Sequence, residues 1–333
     1  MKMLYAGNEN PYFLNSNVFR RRAFESLGHE VVFFEDRKFV LPQRIRQACP
    51  RLARWDLRHL NAGLLKTVDA EKPQLCFIVG GSRTLPETLA GLKARKIQIA
   101  LLTTDAPREF FDHIAGTAPL YDFVFCSGTE AMTLLKDRGV SRTHWIPYAC
   151  DPQYHRPVEL TEQERAALSR EVAFVGSYYP NREETLKAAA GFHLGIWGPN
   201  WKYARDPHLK RLAVDKRVNW DEWTKIYSAA QTVAVVHFND GKTLCHQASP
   251  KLYEAMACKR LVLVDRQKDA ETLFEHKTHV VFFDDPRDLA RQTAYYLAHP
   301  QEREAIAERG YREVIARHTY RQRAESILRI ING

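Results

Sequence analysis

Short apolar runs alternate along the chain with stretches whose apolar residues recur every three or four positions, the pattern that builds parallel sheets through helical crossovers. In the first half the runs predict strands over 2–6, 30–35, 75–79, 97–103, 123–127 and 144–146. Helices are predicted between them. One spans 18–27 and is closed by Gly28; another spans 53–71, where Leu57, Leu60, Leu64, Leu65 and Val68 share a face before Pro73 stops it. The alternation lapses near 151–169, which holds Pro152, Pro157 and the charged run 159–165, and a linker is expected over 158–170. The second half restarts with strands at 171–175, 194–197, 232–237, 261–265 and 280–283. Helices at 182–190, 223–229, 249–257 and 270–275 separate them, and long helical segments at 285–297, 300–318 and 321–331 complete the chain.

Each half thus opens as strand, glycine, helix: MKMLYAG before FRRRAFESLG, and REVAFVG before NREETLKAAAG. The economical architecture is α/β, two Rossmann-like domains in tandem whose parallel sheets face an interdomain cleft, with ligands at the carboxyl ends of the strands. The expected division is a first domain over 1–157, the linker, a second domain over 171–318, and a last helix over 319–333 that packs back on the first domain.

Composition removes other classes. With 333 residues, 45% hydrophobic and 11% aromatic, the chain can bury two cores, and it is no disordered, collagenous or coiled-coil protein. No apolar run approaches the ~18 residues of a membrane helix, and no signal-peptide core precedes the first strand, so a cytosolic protein, at most peripheral at the membrane, is expected. Cys49, Cys76, Cys126, Cys150, Cys245 and Cys258 form no C-x-x-C pair and sit mostly in apolar runs, which argues against structural zinc or disulfides. The net charge of +9 favours phosphate, nucleic acid or anionic lipid as partners. Residues 37–58 concentrate it, with seven Lys/Arg against Asp56 alone. Such a run also serves as a solvated face.

Three places could carry chemistry. The turn Val175-Gly176-Ser177 before a helix that holds Arg182 offers main-chain N–H groups and a guanidinium to a diphosphate, although any βα junction can use such a turn. No dinucleotide fingerprint or Walker motif occurs. In Ser249-Pro250-Lys251-Leu252-Tyr253-Glu254, Ser249 is a natural N-cap, so Lys251 lies in the first turn where its charge opposes the helix dipole. Glu254, three residues on, shares its face, and the two could bind phosphate and hydroxyl groups of one ligand or form a surface ion pair. Asp105, before Ala106-Pro107 at a strand's carboxyl end, is placed to act as a base, or to hydrogen-bond its own loop. Gly7, Asn8 and Asn17 lie after the first strand and are expected to edge the ligand site of the first domain.

The segments SPKLYEAMACKRLVLVD and LAHPQEREAIAERG, with VAFVGSYYPNREETL, LGIWGPNW and, more weakly, SLGHEVVFFE and LLTTDAP, resemble the CgeB-type spore-maturation glycosyltransferases, whose GT-B fold is similar to that of the retaining group-1 transferases. The resemblance implies a metal-independent transferase without a resident cofactor. Its donor is a nucleoside diphosphate-sugar, UDP favoured. Arg182 and Lys251 would hold the diphosphate, Glu254 the ribose, and Asn219 and Trp220 the base, with Ser177 and Ser249 beside them. Gly176 and Gly198 would let main chain approach the donor. Two departures from the family pattern stand out: His246 occupies the position of the first glutamate of E-x7-E, and Lys259 replaces a glycine. His246 could contact the sugar in that glutamate's place. The donor would be held by the second domain, 171–318, and the acceptor by the first, 1–157, at Gly7, Asn8 and Asn17; that acceptor could be a lipid-linked glycan, a membrane lipid or DNA, recruited through residues 37–58. A DNA-modifying transferase and a non-catalytic nucleotide-sugar-binding or scaffold protein are the alternatives.

Overall fold

The computed structural model describes residues 1–10, 14–104 and 111–333. Contacts divide the chain into one unit of Met1–Pro147 with Ala324–Gly333, and another of Tyr148–Arg323.

The first unit is built on six parallel strands, β1 (Lys2–Gly7), β2 (Glu30–Glu35), β3 (Leu75–Val79), β4 (Gln98–Thr103), β5 (Phe123–Cys126) and β6 (Thr143–Trp145), in the order β2-β1-β3-β4-β5-β6. Its helices are α1 (Ser16–Ser26), α2 (Gln43–Ala48), α3 (Pro50–Glu71), α4 (Pro86–Ala94), α5 (Phe111–Thr117) and α6 (Thr129–Asp137). Strand β3, Leu-Cys-Phe-Ile-Val, is buried at every position, as a strand covered by helices on both faces must be. One register step fixes the centre: Met3 of β1 pairs Val31 of β2 on one side and Leu75 of β3 on the other. Gly28 takes φ +81° just beyond α1, the left-handed conformation expected where that helix stops.

The second unit holds β7 (Arg170–Val175), β8 (Leu194–Trp197), β9 (Ala213–Val214), β10 (Ala230–Val235), β11 (Leu261–Asp265) and β12 (Val281–Phe283), all parallel in the order β12-β11-β10-β7-β8-β9. Helices α7 (Glu162–Leu168), α8 (Pro180–Lys187), α9 (Pro207–Leu212), α10 (Trp220–Ala229), α11 (Pro250–Ala257), α12 (Lys268–Leu273), α13 (Pro286–Ala298) and α14 (Pro300–Arg317) surround and follow them, and the last helix, α15 (Tyr320–Asn332), belongs to the first unit from Ala324 on. Helix α7 lies inside the stretch expected to be irregular. Thr161 caps it by accepting from the Glu164 N–H while Glu164 accepts from the Thr161 N–H, a reciprocal pair spelled T-x-x-E in the sequence. The two-residue strand β9 is too short for any apolar alternation to announce it.

Residues just after Pro147 join the second unit through main chain. Cys150 N–H donates to the His318 carbonyl and Tyr320 N–H to the Cys150 carbonyl, a bridge that anchors the segment leading to Asp151 and His155. In the second sheet the chain moves outward from β7 to β8 and β9, then returns to place β10 on β7's other side. The strand order therefore reverses between β7 and β10, and their carboxyl ends flank the crevice where open α/β sheets bind ligands. The first sheet has the same reversal between β1 and β3.

Candidate donor site

At the reversal in the second unit, three segments are tied to one histidine. His237 follows β10 and is 3% exposed. Its main-chain N–H and its Nδ1 both meet the Asp265 carboxylate at the end of β11, at 3.0 and 2.6 Å. Its Nε2 accepts from the Ser249 N–H at 2.9 Å, and its carbonyl accepts from Asn181 Nδ2 of α8 at 2.8 Å. Because Nε2 is an acceptor, the ring carries its hydrogen on Nδ1, toward Asp265. This arrangement fixes where α11 begins. Ser249 caps the helix by accepting from the Lys251 N–H, and Pro250 occupies the first helical position.

From that start Lys251 and Glu254 project one turn apart. Glu254 is 7% exposed, and its Oε2 is buried with no hydrogen-bond partner among the described residues. Burial pushes its carboxyl pKa up, and the neighbouring Lys251 charge opposes that shift. Burial pulls the Lys251 ammonium down; Glu254 offsets this in part, and the nearby Arg182 charge adds to it. Among the described residues Lys251 has no carboxylate within ion-pair distance, so the solvated ion pair that the spacing allowed does not form. Its Nζ lies 5.8 Å from the centre of the Trp223 ring instead.

Arg182 is held rather than free to swing. Its Nε donates to the Val236 carbonyl at 2.9 Å, its Nη1 to the Ser177 carbonyl at 2.8 Å, and the guanidinium lies 4.9 Å from the Tyr179 ring centre. No carboxylate among the described residues pairs with it, and burial lowers its pKa. The Gly176 and Tyr178 N–H groups are taken by the Trp197 and Pro199 carbonyls, so at this turn side-chain cations rather than those two amides are available to an anion. Gly198 has a requirement of its own: φ is +151°, and a Cβ there would collide with the Gly176 carbonyl. The close approach it permits is between two strand ends.

Helix α10 supplies the wall beside Glu254. Asn219 caps it, accepting the role its position suggests, and its N–H donates to Glu222 at 2.9 Å; Trp220 packs edge-on to Tyr154 at 5.1 Å between ring centres. Trp223 and Tyr227, one turn apart, are buried with Nε1 and the hydroxyl unpartnered among the described residues. Burial and then the Glu254 charge raise the Tyr227 pKa well above its ordinary value. His155 stacks on Trp223 at 6.1 Å and accepts from the Asp151 N–H at 2.8 Å; burial, helped by Lys251, pushes it down to about 3, so it is neutral. His246 lies in the loop before Ser249, where its carbonyl accepts from the Asp269 N–H at 3.1 Å.

In the first unit Gly7, Asn8 and Asn17 come together at the end of β1. Asn15 and Asn17 both donate to the Asn8 carbonyl, at 2.9 and 2.8 Å, and Asn17 Oδ1 accepts from the Tyr5 hydroxyl at 3.4 Å. The Asn8 side-chain oxygen takes the Arg37 guanidinium, and a Cβ on Gly7 would press on the Tyr5 ring. Asp105 lies outside the described residues. No cluster of three or more His, Cys, Asp or Glu suited to a metal occurs among the described residues.

Gly176, Arg182, Ser249, Lys251 and Glu254, which motif and spacing mark in the sequence, lie around one reversal point. His237, Asp265, Trp223, Tyr227 and His155 lie there too, with no such mark in the sequence. The first two are the residues that close two strands and carry no periodic signal. Trp223 and Tyr227 sit four apart, which reads as an ordinary core face.

Residues 182–329 match the family model described as glycosyl transferase-like. Over 274 residues the chain is 23% identical to spore protein CgeB of Bacillus subtilis (strain 168), covering 78% of this chain and 83% of that protein. Among solved structures, sucrose-phosphate synthase of Thermosynechococcus elongatus superposes with a TM-score of 0.74 at 14% identity, over 100% of this chain and 98% of that one. HepE of Anabaena, crystallised with UDP and glucose, gives 0.66 at 14%, over 100% and 99%. An alpha-glucosyltransferase in complex with UDP-glucose and DNA containing an abasic site gives 0.67 at 12%, over 100% and 99%. The chain has the fold of these GT-B glycosyltransferases, and the match over residues 182–329 with the curated relative makes it similar to the CgeB-like glycosyltransferases.

Proposed function

We propose that the chain transfers a sugar from a UDP-sugar held by the second unit, without a metal ion, to an acceptor taken by the first. The observation that carries this reading is the Glu254 carboxylate, nine-tenths buried with an oxygen that lacks a partner, beside two cations, Lys251 and Arg182, that have no carboxylate within ion-pair distance among the described residues. A buried, unsatisfied carboxylate costs stability unless a ligand completes it. Ribose hydroxyls supply the donors that Glu254 lacks, and a diphosphate supplies the negative charge that Lys251 and Arg182 lack. The Trp223 and Tyr227 side chains line the same wall with two further donors. During transfer, negative charge grows on the departing diphosphate, and cations already fixed beside it stabilise that charge without moving. Arg182, pinned by two carbonyls, is preorganised in this sense. Support from outside the chain is that HepE and the alpha-glucosyltransferase of the same fold were crystallised with UDP or UDP-glucose.

The test is the melting temperature of the protein with UDP, GDP, dTDP, ADP and their sugar conjugates, beside Lys251→Ala. At ~100 times its dissociation constant a ligand adds about 2.7 kcal/mol of stability. Selective stabilisation by UDP or a UDP-sugar that disappears in the variant is the expected result. A shift that survives Lys251→Ala overturns the site, and no shift with any nucleotide overturns the donor.

A further inference from the structure

The first unit carries a surface that the transfer chemistry does not explain. Helix α2 has no buried residue, and the exposed side of α3 begins where α2 ends. Eight large hydrophobic side chains are exposed among the described residues, and four of them, Val40, Ile45, Leu52 and Trp55, fall within this one stretch. Leu52 is 42% exposed and Trp55 51%. Single exposed apolar residues are commonplace, but a cluster is not. On α3 the positions Arg51, Leu52, Trp55 and Arg58 recur at three- and four-residue spacing, so cations and apolar side chains share one face. The Trp55 indole is stacked on His59 with ring centres 5.5 Å apart, which holds it in place on the surface.

The charge of this face is not cancelled. Lys38, Arg44, Arg51, Arg54 and Arg58 are exposed and have no carboxylate within ion-pair distance among the described residues. The one acid in residues 37–58, Asp56, is fully buried, and its oxygens accept from the Val40 and Leu41 N–H groups at 2.9 and 3.0 Å. Arg46 alone is drawn inward, 3.7 Å over the Phe39 ring and 3.6 Å from Asp56.

We infer that the α2–α3 face docks on anionic phospholipid membranes. Positive charge alone would suit nucleic acid equally well, since phosphate contacts are what cations supply there. The aliphatic side chains and the indole decide between them: a duplex backbone gives Val40, Ile45 and Leu52 nothing to bury against, whereas a bilayer interface takes apolar groups into the acyl boundary and indoles at headgroup depth. Arginine stems lie along the apolar surface while their heads reach lipid phosphates. Among the described residues no helix is long and apolar enough to cross a membrane, so this contact is one of surface docking.

The experiment is co-sedimentation of the full chain with vesicles of phosphatidylcholine alone or mixed with phosphatidylglycerol. Binding to the mixed vesicles and not to the neutral ones is expected. Arg51→Gln, Arg54→Gln and Arg58→Gln together should weaken it about 100-fold. Leu52→Ser with Trp55→Ser, which leaves the charge unchanged, should weaken it about tenfold. All five positions are exposed, so circular dichroism should show each variant folded. Brominated lipid should quench part of the tryptophan emission, and Trp55→Phe should lose that quenching while still binding. Binding indifferent to Leu52→Ser with Trp55→Ser overturns the inference. So does a gel shift of duplex DNA at salt where vesicles are not bound.

Discussion

The two sheets reverse their strand order in the same way, yet the polar groups at the two reversal points are in opposite states. After β1, Asn8, Asn15, Asn17 and Tyr5 satisfy one another, Arg21 meets Glu9 at 2.6 Å, and Arg83 reaches Asp36 at 3.2 Å; one Asp36 oxygen is left over. After β7 and β10, the scaffolding residues His237, Asp265 and Ser249 are equally well paired and Asn181 keeps one oxygen over, but Glu254, Trp223 and Tyr227 hold buried atoms without partners among the described residues. The fold alone does not mark a binding site. What marks it is a rigid, satisfied frame that presents unsatisfied groups.

The largest effect that tests this contrast is on ligand affinity. Lys251→Ala should weaken UDP binding about 100-fold, read by titration calorimetry, because a charged hydrogen bond to a buried phosphate is lost. Equal loss from Asn17→Ala would erase the distinction. Next in size, His237→Ala should lower stability by about 2 kcal/mol in a denaturant titration, since it strands the Ser249 N–H and leaves the Asp265 carboxylate with only the main-chain N–H of residue 237.

That second effect exposes what the sequence conceals. The strands β1, β3, β7 and β10 are visible as apolar runs because parallel strands are buried on both faces. The start of α11 is visible in Ser249-Pro250, and Lys251 with Glu254 in their helical spacing. The tie from His237 to Asp265 joins residues at the ends of two different strands, and no local pattern predicts which strand ends become neighbours. Helix α7 shows the reverse case: Thr161 and Glu164 spell its cap, but two prolines and a charged run disguise it as linker.

A smaller effect sharpens the comparison by its sign. Asn17→Ala should destabilise the free protein by about 1 kcal/mol, because it removes satisfied hydrogen bonds, whereas Glu254→Gln should leave stability unchanged or raise it by about 1 kcal/mol while reducing UDP affinity. Chemical denaturation without nucleotide reads both. A Glu254→Gln protein clearly less stable than wild type would mean that the carboxylate is structural.

The smallest effect is a pH slope. Burial places the Lys251 pKa below its ordinary value, and a diphosphate beside it would raise that pKa again. Binding then takes up a proton, so UDP affinity should fall as pH rises through the lowered pKa, at less alkaline pH than an ordinary lysine would require. Lys251→Ala should remove the slope. A wild-type affinity that is flat up to the ordinary lysine range would show that the ammonium does not face the phosphates.

The histidine after β10 also bears on how such a chain can drift over generations. Its carbonyl and N–H, which any residue at 237 would keep, meet Asn181 and Asp265, and its ring meets the Ser249 main chain, but the ring and the Asp265 carboxylate are matched side chain to side chain, so a replacement at 237 leaves position 265 without its counterpart. Those two positions are inherited as one character. Related chains should either keep both or have exchanged them as a pair, while Lys251 and Glu254 answer to the ligand and change on a separate schedule.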